Sequence, residues 1–234
     1  MAGTPALAPA ATPTGQERGP AWLVVAEALG IALLFALDAT HHLWVSKTPW
    51  LLLLGWASLR LRGLRWRDVG LRRGPSLRRL AYLAIVGGIA LETLQLTITQ
   101  PLVTRLLGAE PDLHQLADLQ GNLPRLALYV VLSWTLAAFG EELVWRGYVL
   151  NRLLGLVGRW RAPYSVGLVL ASVLFGLAHA YQGAPGIIVE TVSGLILGAV
   201  YLGCDRNLVV PIAVHGVVDT IDVVLGYFGQ LPGA

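Results

Sequence analysis

Long apolar runs separated by short polar links divide most of this chain into membrane-length segments. A helix rises about 1.5 Å per residue, so roughly 20 apolar residues cross a hydrocarbon core of about 30 Å. The runs predict spans near 22–41, 80–100, 124–150, 164–180, 186–203 and 208–228. A further span near 45–59 is weaker, because its clean run from Trp50 to Leu59 is short and follows Lys47 and Pro49. Tilt, local thinning or snorkelling of the Lys47 ammonium would let it cross. The predicted fold class is all-α: a polytopic transmembrane helical bundle of about seven spans with an intramembrane polar cavity. Residues 21–234 form a single domain without an internal repeat. Residues 1–20, rich in Ala, Pro, Thr and Gly, bury too little apolar surface to fold and are expected to be a disordered cytoplasmic tail. The apolar run after them lacks a basic leader and a clear small-residue cleavage site, so it reads as a retained helix.

The polar positions inside these runs stand out, since an ionisable group at membrane depth costs at least ~2.5 kcal/mol on insertion scales. Glu141, Glu142 and Arg146 fall in the fourth run, His179 in the fifth, and His215, Asp219 and Asp222 in the seventh. Glu27, Asp38, Glu92, Gln95 and Glu190 are also at depth. For these five the expectation is an interhelical hydrogen bond or a protonated acid near a helix end, with cavity lining as the alternative. His41 and His42 flank a span end and read as interfacial. Trp22, Trp44, Trp50, Trp56, Trp66 and Trp160 fit an aromatic belt. Gly194 and Gly198 make a GxxxG step, expected to pack inside the bundle, with a dimer interface as the other use.

Composition strengthens the membrane assignment. Of 234 residues 55% are hydrophobic and 13% charged, against about 25% charged in soluble domains. The single cysteine, Cys204, excludes an internal disulfide framework and a cysteine-based zinc site, and reads as a small apolar residue at a helix end. The net charge of +3 is concentrated: Arg60, Arg62, Arg65, Arg67, Arg72, Arg73, Arg78 and Arg79 occupy one link, opposed only by Asp68. Lying between two apolar runs, this link follows the positive-inside rule and is assigned to the cytoplasm, where it can rest on anionic headgroups; no nucleic-acid partner is inferred. Alternation then puts 101–123 outside, 151–163 and the link near Asp205 and Arg206 inside, the N-terminus inside and the C-terminus outside. The Ala/Gly/Leu/Arg bias suggests a high-GC bacterium and hence its inner membrane.

Carboxylates with two imidazoles are the parts needed to activate water. Adjacent helical residues point about 100° apart, so Glu141 and Glu142 have different neighbours. Glu142 and Arg146, at i,i+4, can neutralise each other and leave Glu141 to face elsewhere. His215, Asp219 and Asp222 form one polar stripe, and Gly216 would admit another backbone or a substrate beside His215. A carboxylate in a dry site can act as general base toward water, an imidazole can share its proton, and a second imidazole with a neighbouring acid can hydrogen-bond a developing oxyanion. A purely structural reading stays open for each: an ion pair pinning helices, an interfacial His179, a hydrogen-bonded stripe on the last span. Counted from the cytoplasmic helix ends, His215 is shallow, Glu141 near mid-depth and His179 near the outer end. Convergence therefore requires the fifth span to start deep or to tilt.

The order EExxxR (Glu141, Glu142, Arg146), FxxxH (Phe175, His179) and HxxxD (His215, Asp219) resembles the CPBP intramembrane proteases, also called Abi, which include the type II CAAX prenyl endopeptidases. The segment Trp66 to Gly74 (WRDVGLRRG) also looks like that family's loop before its core helices, and the resemblance spans roughly residues 60–228. It implies a helical bundle whose polar cavity opens to the cytosolic face. It implies an endopeptidase acting on a membrane-associated protein or peptide, with Glu141 and His179 activating water, His215 and Asp219 stabilising the oxyanion, Glu142 in the catalytic group, and Arg146 and Phe175 in support. The last position is usually Asn in endopeptidase members, and Asp also occurs. The resemblance favours a metal-free glutamate mechanism. No cofactor is predicted, although zinc on His179, His215 and Glu141 stays open; no HExxH helix is present. The alternatives are a non-catalytic membrane scaffold or bacteriocin-immunity protein, and a small proton-relaying transporter, the latter disfavoured by the lack of repeat symmetry. Substrate and oligomeric state are not legible.

Overall fold

The computed structural model describes residues 20–40, 42–158, 160 and 162–233. The expected N-terminal tail, His41, Arg159 and Arg161 lie outside the described residues, except that Pro20 is included. All regular structure among the described residues is helical. Seven helices stand where the apolar runs predict them: α1 Ala21–Ala39, α2 Lys47–Leu61, α3 Leu77–Leu107, α4 Leu123–Val157, α5 Pro163–Leu177, α6 Gly183–Gly203 and α7 Val209–Tyr227. Five of them, α1, α3, α4, α6 and α7, are long and apolar enough to cross a membrane, while α5 is a shorter apolar helix and α2 has 15 residues. The chain is thus an all-α integral membrane bundle, and the count of seven spans is an upper reading of seven helices.

Helix ends follow local chemistry. Asn122 caps α4 by accepting from the Arg125 amide (3.2 Å), with Pro124 in the first turn, where its missing N–H costs nothing. Gly108, at φ 71°, ends α3 in the left-handed conformation that glycine adopts without penalty. Two helices depart from α geometry: α3 over Gln95–Thr99, and α4 over Ser133–Glu141 and Leu143–Leu150, where the backbone takes the wider π form. Such stretches are rare and concentrate at functional sites.

α1 packs mainly on α2, touches α4 through Phe35, whose ring meets Trp145 edge-on at 6.3 Å, and carries a lipid-exposed apolar face, including Trp22, Val25, Leu29 and Leu33. α5 and α6 pack closely. A Cβ on Gly194 would meet Ser172 at 3.1 Å, and one on Gly198 would meet Leu168 at 2.4 Å, so the GxxxG step serves packing inside the bundle.

The two ends of the bundle differ. At one end stand the arginine-rich link, the end of α4 and the α6–α7 turn. Here the Trp66–Gly74 segment clasps α6 and α7: Tyr201 donates to the Val69 carbonyl (2.8 Å) and the Leu208 amide to the Gly70 carbonyl (2.9 Å). Gly70 has φ 115°, and a Cβ there would lie 2.2 Å from the Arg206 carbonyl oxygen, so only glycine fits the clasp. Beneath it Leu143, Leu150, Leu154, Tyr201 and Leu208 form a solid core. At the other end the 108–122 link is strapped down by the amides of Asp112 to Gln182, Leu113 to Gly233 and Gly121 to Tyr227.

Several depth polar residues settle into interhelical bonds. Glu27 of α1 pairs with Arg62 and accepts from Ser58, all three buried. Asp38 pairs with Lys47 at 2.6 Å. Lys47 therefore does not snorkel: it is buried and also lies over the Tyr181 ring, 5.3 Å from its centroid. Trp22, Trp44, Trp50, Trp56 and Trp160 are exposed, as a belt requires, whereas Trp66 packs toward Gly55 and Tyr148.

Candidate active site

Glu141, His179, His215 and Asp219 all line one cavity of about 560 Å³. They arrive from α4, the α5–α6 turn and α7. Glu141 lies within electrostatic reach of both imidazoles and of Asp219 and Glu190.

The depths that sequence counting could not reconcile agree for a simple reason. Sixteen residues of helix run from Glu141 to Val157 at the end of α4, and sixteen residues run from Pro163 at the start of α5 to His179 just past its end, so both side chains stand well above the α4–α5 link. α7, not α5, starts deep. Leu208 packs against Gly147 (3.1 Å from a Cβ placed there), so α7 begins part-way up α4 and reaches the level of Glu141 by His215. The clasp at Gly70 holds that raised start.

Glu142 stands apart from its neighbour. It is fully buried and is not in the cavity wall. Its Oε1 accepts from Arg146 Nη1 at 2.6 Å, as the i,i+4 spacing predicts, and lies 2.9 Å from His215 Nδ1. A carboxylate oxygen accepts, so Nδ1 of His215 carries hydrogen and the ring is held from behind. Its Nε2 is 3.3 Å from Asp219 Oδ1, a longer contact at the cavity wall. Arg146 also reaches the Gly194 carbonyl (3.3 Å) and lies over the Phe175 ring, 4.7 Å from its centroid. That stacking is worth up to about 2 kcal/mol when desolvated.

Phe175 is the hub of the wall. Its ring meets Trp145 edge-on (5.6 Å), His215 edge-on (6.5 Å) and His179 at a tilt (4.7 Å). Its carbonyl lies 2.9 Å from His179 Nδ1. A carbonyl can only accept, so Nδ1 bears the hydrogen, and Nε2 of the neutral ring keeps its lone pair. Thus Phe175 fixes both the position and the tautomer of His179.

Other residues share the cavity. Asp38, Gln95 and Glu190, expected chiefly to make interhelical bonds, line it, as does Asp222. Sequence reasoning missed Thr48 and Tyr181. Thr48, buried on α2, makes a long 3.5 Å contact from Oγ1 to Glu141 Oε1. Tyr181 stacks beside His179 at 5.7 Å. A threonine in a weak span carries no distinctive pattern; Tyr181, two residues after His179, was the nearer clue. Gly216 does not open space for a substrate: a Cβ there would lie 2.7 Å from the Trp134 ring, whose Nε1 donates to Thr220 (3.0 Å).

Zinc fits these donors poorly. Among the described residues no group of three or more His, Cys, Asp or Glu is arranged to hold a metal ion. His179 keeps Nε2 free because its Nδ1 is engaged by a carbonyl, but both ring nitrogens of His215 face carboxylates, so the two imidazoles do not offer a metal a pair of free nitrogens.

Residues 123–221 match the family model described as Type II CAAX prenyl endopeptidase Rce1-like. The match agrees with the resemblance to the CPBP family. It begins at α4 and takes in Glu141, Glu142, Arg146, Phe175, His179, His215 and Asp219, but it leaves out the Trp66–Gly74 clasp. No curated protein and no solved structure matched the chain.

Proposed function

We propose that the chain is an intramembrane endopeptidase that hydrolyses a peptide bond of a membrane-associated protein or peptide. The observation that carries this reading is the convergence of Glu141, His179, His215 and Asp219 on one cavity, with Glu142 held out of it in an ion pair. The Rce1-like match over the same helices supports it.

In this reading Glu141 takes a proton from a water in the cavity, and the oxygen adds to the scissile carbonyl. His179, with its Nε2 lone pair free, accepts a hydrogen bond from that water and orients it. The carbonyl oxygen becomes an oxyanion; His215, held between the Glu142 and Asp219 carboxylates as an imidazolium with hydrogen on both nitrogens, donates its Nε2–H to it, and the long contact to Asp219 leaves that hydrogen open to a competing acceptor. The proton held by Glu141 then passes to the amide nitrogen as the C–N bond breaks, giving a free amine and a carboxylic acid. Glu142 and Arg146 act through His215 and Phe175, and are positioning residues. Every step runs on side chains of this protein and water. The high-GC composition and the arginine distribution support a bacterial inner membrane with the N-terminus inside.

The test compares new protein termini in membranes from cells expressing the wild type or Glu141→Ala at matched levels. Termini that appear only with the wild type are the expected result and identify the substrate. Identical profiles in cells that contain the natural substrates, with function retained by Glu141→Ala, would instead favour a scaffold or immunity protein.

A further inference from the structure

The charges around the cavity do not balance. Five carboxyl groups line it, those of Asp38, Glu141, Glu190, Asp219 and Asp222, against one ammonium, that of Lys47. Lys47 is paired with Asp38 at 2.6 Å. Asp219 faces His215, and behind that ring Glu142 is met by Arg146. Glu141 serves the attacking water. Glu190 on α6 and Asp222 on α7 are left, and among the described residues no cationic side chain pairs with either. They lie within electrostatic reach of each other and of Glu92 on α3, a further acid that is 3% exposed. Three acids from three helices thus share one region with no cation of their own.

Protons alone can settle a cluster of acids, but they do not account for Gln95. Its side chain is buried, lines the same cavity and makes no hydrogen bond among the described residues. A buried amide left without a partner is costly, and a group entering the cavity would remove that cost. Gln95 opens the π-form stretch of α3, a backbone form that concentrates at functional sites. It stands three residues from Glu92, so the two are neighbours on the helix surface.

A metal ion does not suit these groups. Among the described residues no three His, Cys, Asp or Glu converge as a cage. Acceptors set apart on three helices instead match a flat cation with several donors. A guanidinium carries five N–H groups in a fixed plane and bonds separate oxygens at once. The cavity volume of about 560 Å³ lies within the range of roughly 300–1,000 Å³ found for sites that take organic groups.

We propose that Gln95, Glu190 and Asp222 form a subsite for an arginine side chain of the substrate. The guanidinium donates to the two carboxylates and to Gln95 Oε1, while the substrate backbone runs on to Glu141 and His179. Asp222 lies three residues beyond Asp219 on α7, a rise of about 4.5 Å, and an extended peptide advances about 3.3 Å per residue. The arginine therefore falls within about two residues of the scissile bond. The word substrate rests on the endopeptidase reading; the subsite stands on the charge imbalance and the unpaired amide.

Binding is measured on the full chain in detergent, with Leu136→Cys on the cavity wall in a Cys204→Ser background. The probes are Nα-acetyl-arginine methylamide and its citrulline counterpart, which has nearly the same shape and no charge. Each is titrated for protection of the introduced thiol from a maleimide. The expected result is half-protection at about tenfold lower concentration of the arginine probe than of the citrulline one. Asp222→Asn combined with Glu190→Gln should bring the two probes to parity, and Gln95→Leu should narrow the gap. The readout is a ratio between two probes on one protein, so a variant that only loosens the bundle moves both alike. Equal protection by the two probes in the otherwise wild-type cavity, protection by neither, or an arginine preference that survives Asp222→Asn with Glu190→Gln overturns the proposal. The assay needs no turnover and is repeated in Glu141→Gln. An arginine preference without any cleaved peptide would count against the endopeptidase and leave the subsite standing, and cleavage without an arginine preference would do the reverse.

Discussion

The two halves of this bundle solve opposite problems with the same kinds of residue. In the basic half, polar groups are spent on one another: Glu27 with Arg62 and Ser58, Glu142 with Arg146, and Asn151 with Tyr201 at 2.9 Å. In the hollow half, Glu141, Glu190 and Asp219 line open space, and among the described residues the hydrogen bonding of Glu141 is a single long contact to Thr48. The border runs between two consecutive residues, Glu141 and Glu142. Identical side chains one position apart are thus a free group and a buried counter-ion, and the difference lies in which helices face them. Ionisable groups in a membrane bundle are informative when left unpaired at a cavity; paired ones report on assembly.

Four substitutions test that division, from the largest effect downward. Glu141→Gln keeps shape and removes the base; turnover of an identified peptide substrate should fall by about 10²–10⁴-fold, while the unfolding midpoint in detergent stays at the wild-type value. A fall in stability with turnover retained would erase the border. Glu142→Ala should do the reverse first: it strands Arg146 beside a 0% exposed site, at a cost of about 3–5 kcal/mol. Thermal unfolding and membrane yield read this, and an unchanged midpoint would mean that the pair does not hold the bundle. Gly216→Ala drives a methyl into Trp134 and should cost about 1–3 kcal/mol, with His215 displaced, so unfolding and turnover should both suffer. Thr48→Val removes a donor from Glu141 and should lower turnover by the equivalent of about 0.5–1.5 kcal/mol. Thr48→Ser should restore it; equal loss in both variants would assign Thr48 to packing alone.

Much of this architecture was legible in the apolar runs, because lipid enforces helices and the runs must be long. The split between Glu141 and Glu142 also followed from the i,i+4 relation to Arg146. What could not be read was relative height. The raised start of α7 comes from the fit of Leu208 against Gly147 and the clasp at Gly70, contacts between residues far apart in sequence. Lys47 looked like a charge seeking the interface because its partner, Asp38, lies on another helix.

The π-form backbone of α4 has a consequence for this site. From Ser133 to Leu150, Glu142 aside, the hydrogen bonds skip one residue more than in an α-helix, so each turn is wider and holds extra chain. The helix carries slack in its phase just where the two glutamates must point in different directions. Removing one residue before Glu141 would let the stretch tighten toward the common form, much as a gear slips by a tooth. Arg146 and the packed turns below would keep their register, while the residues above would rotate, carrying Trp134 off Gly216. Natural or engineered length changes in this helix would therefore retune the cavity without disturbing the half that anchors it.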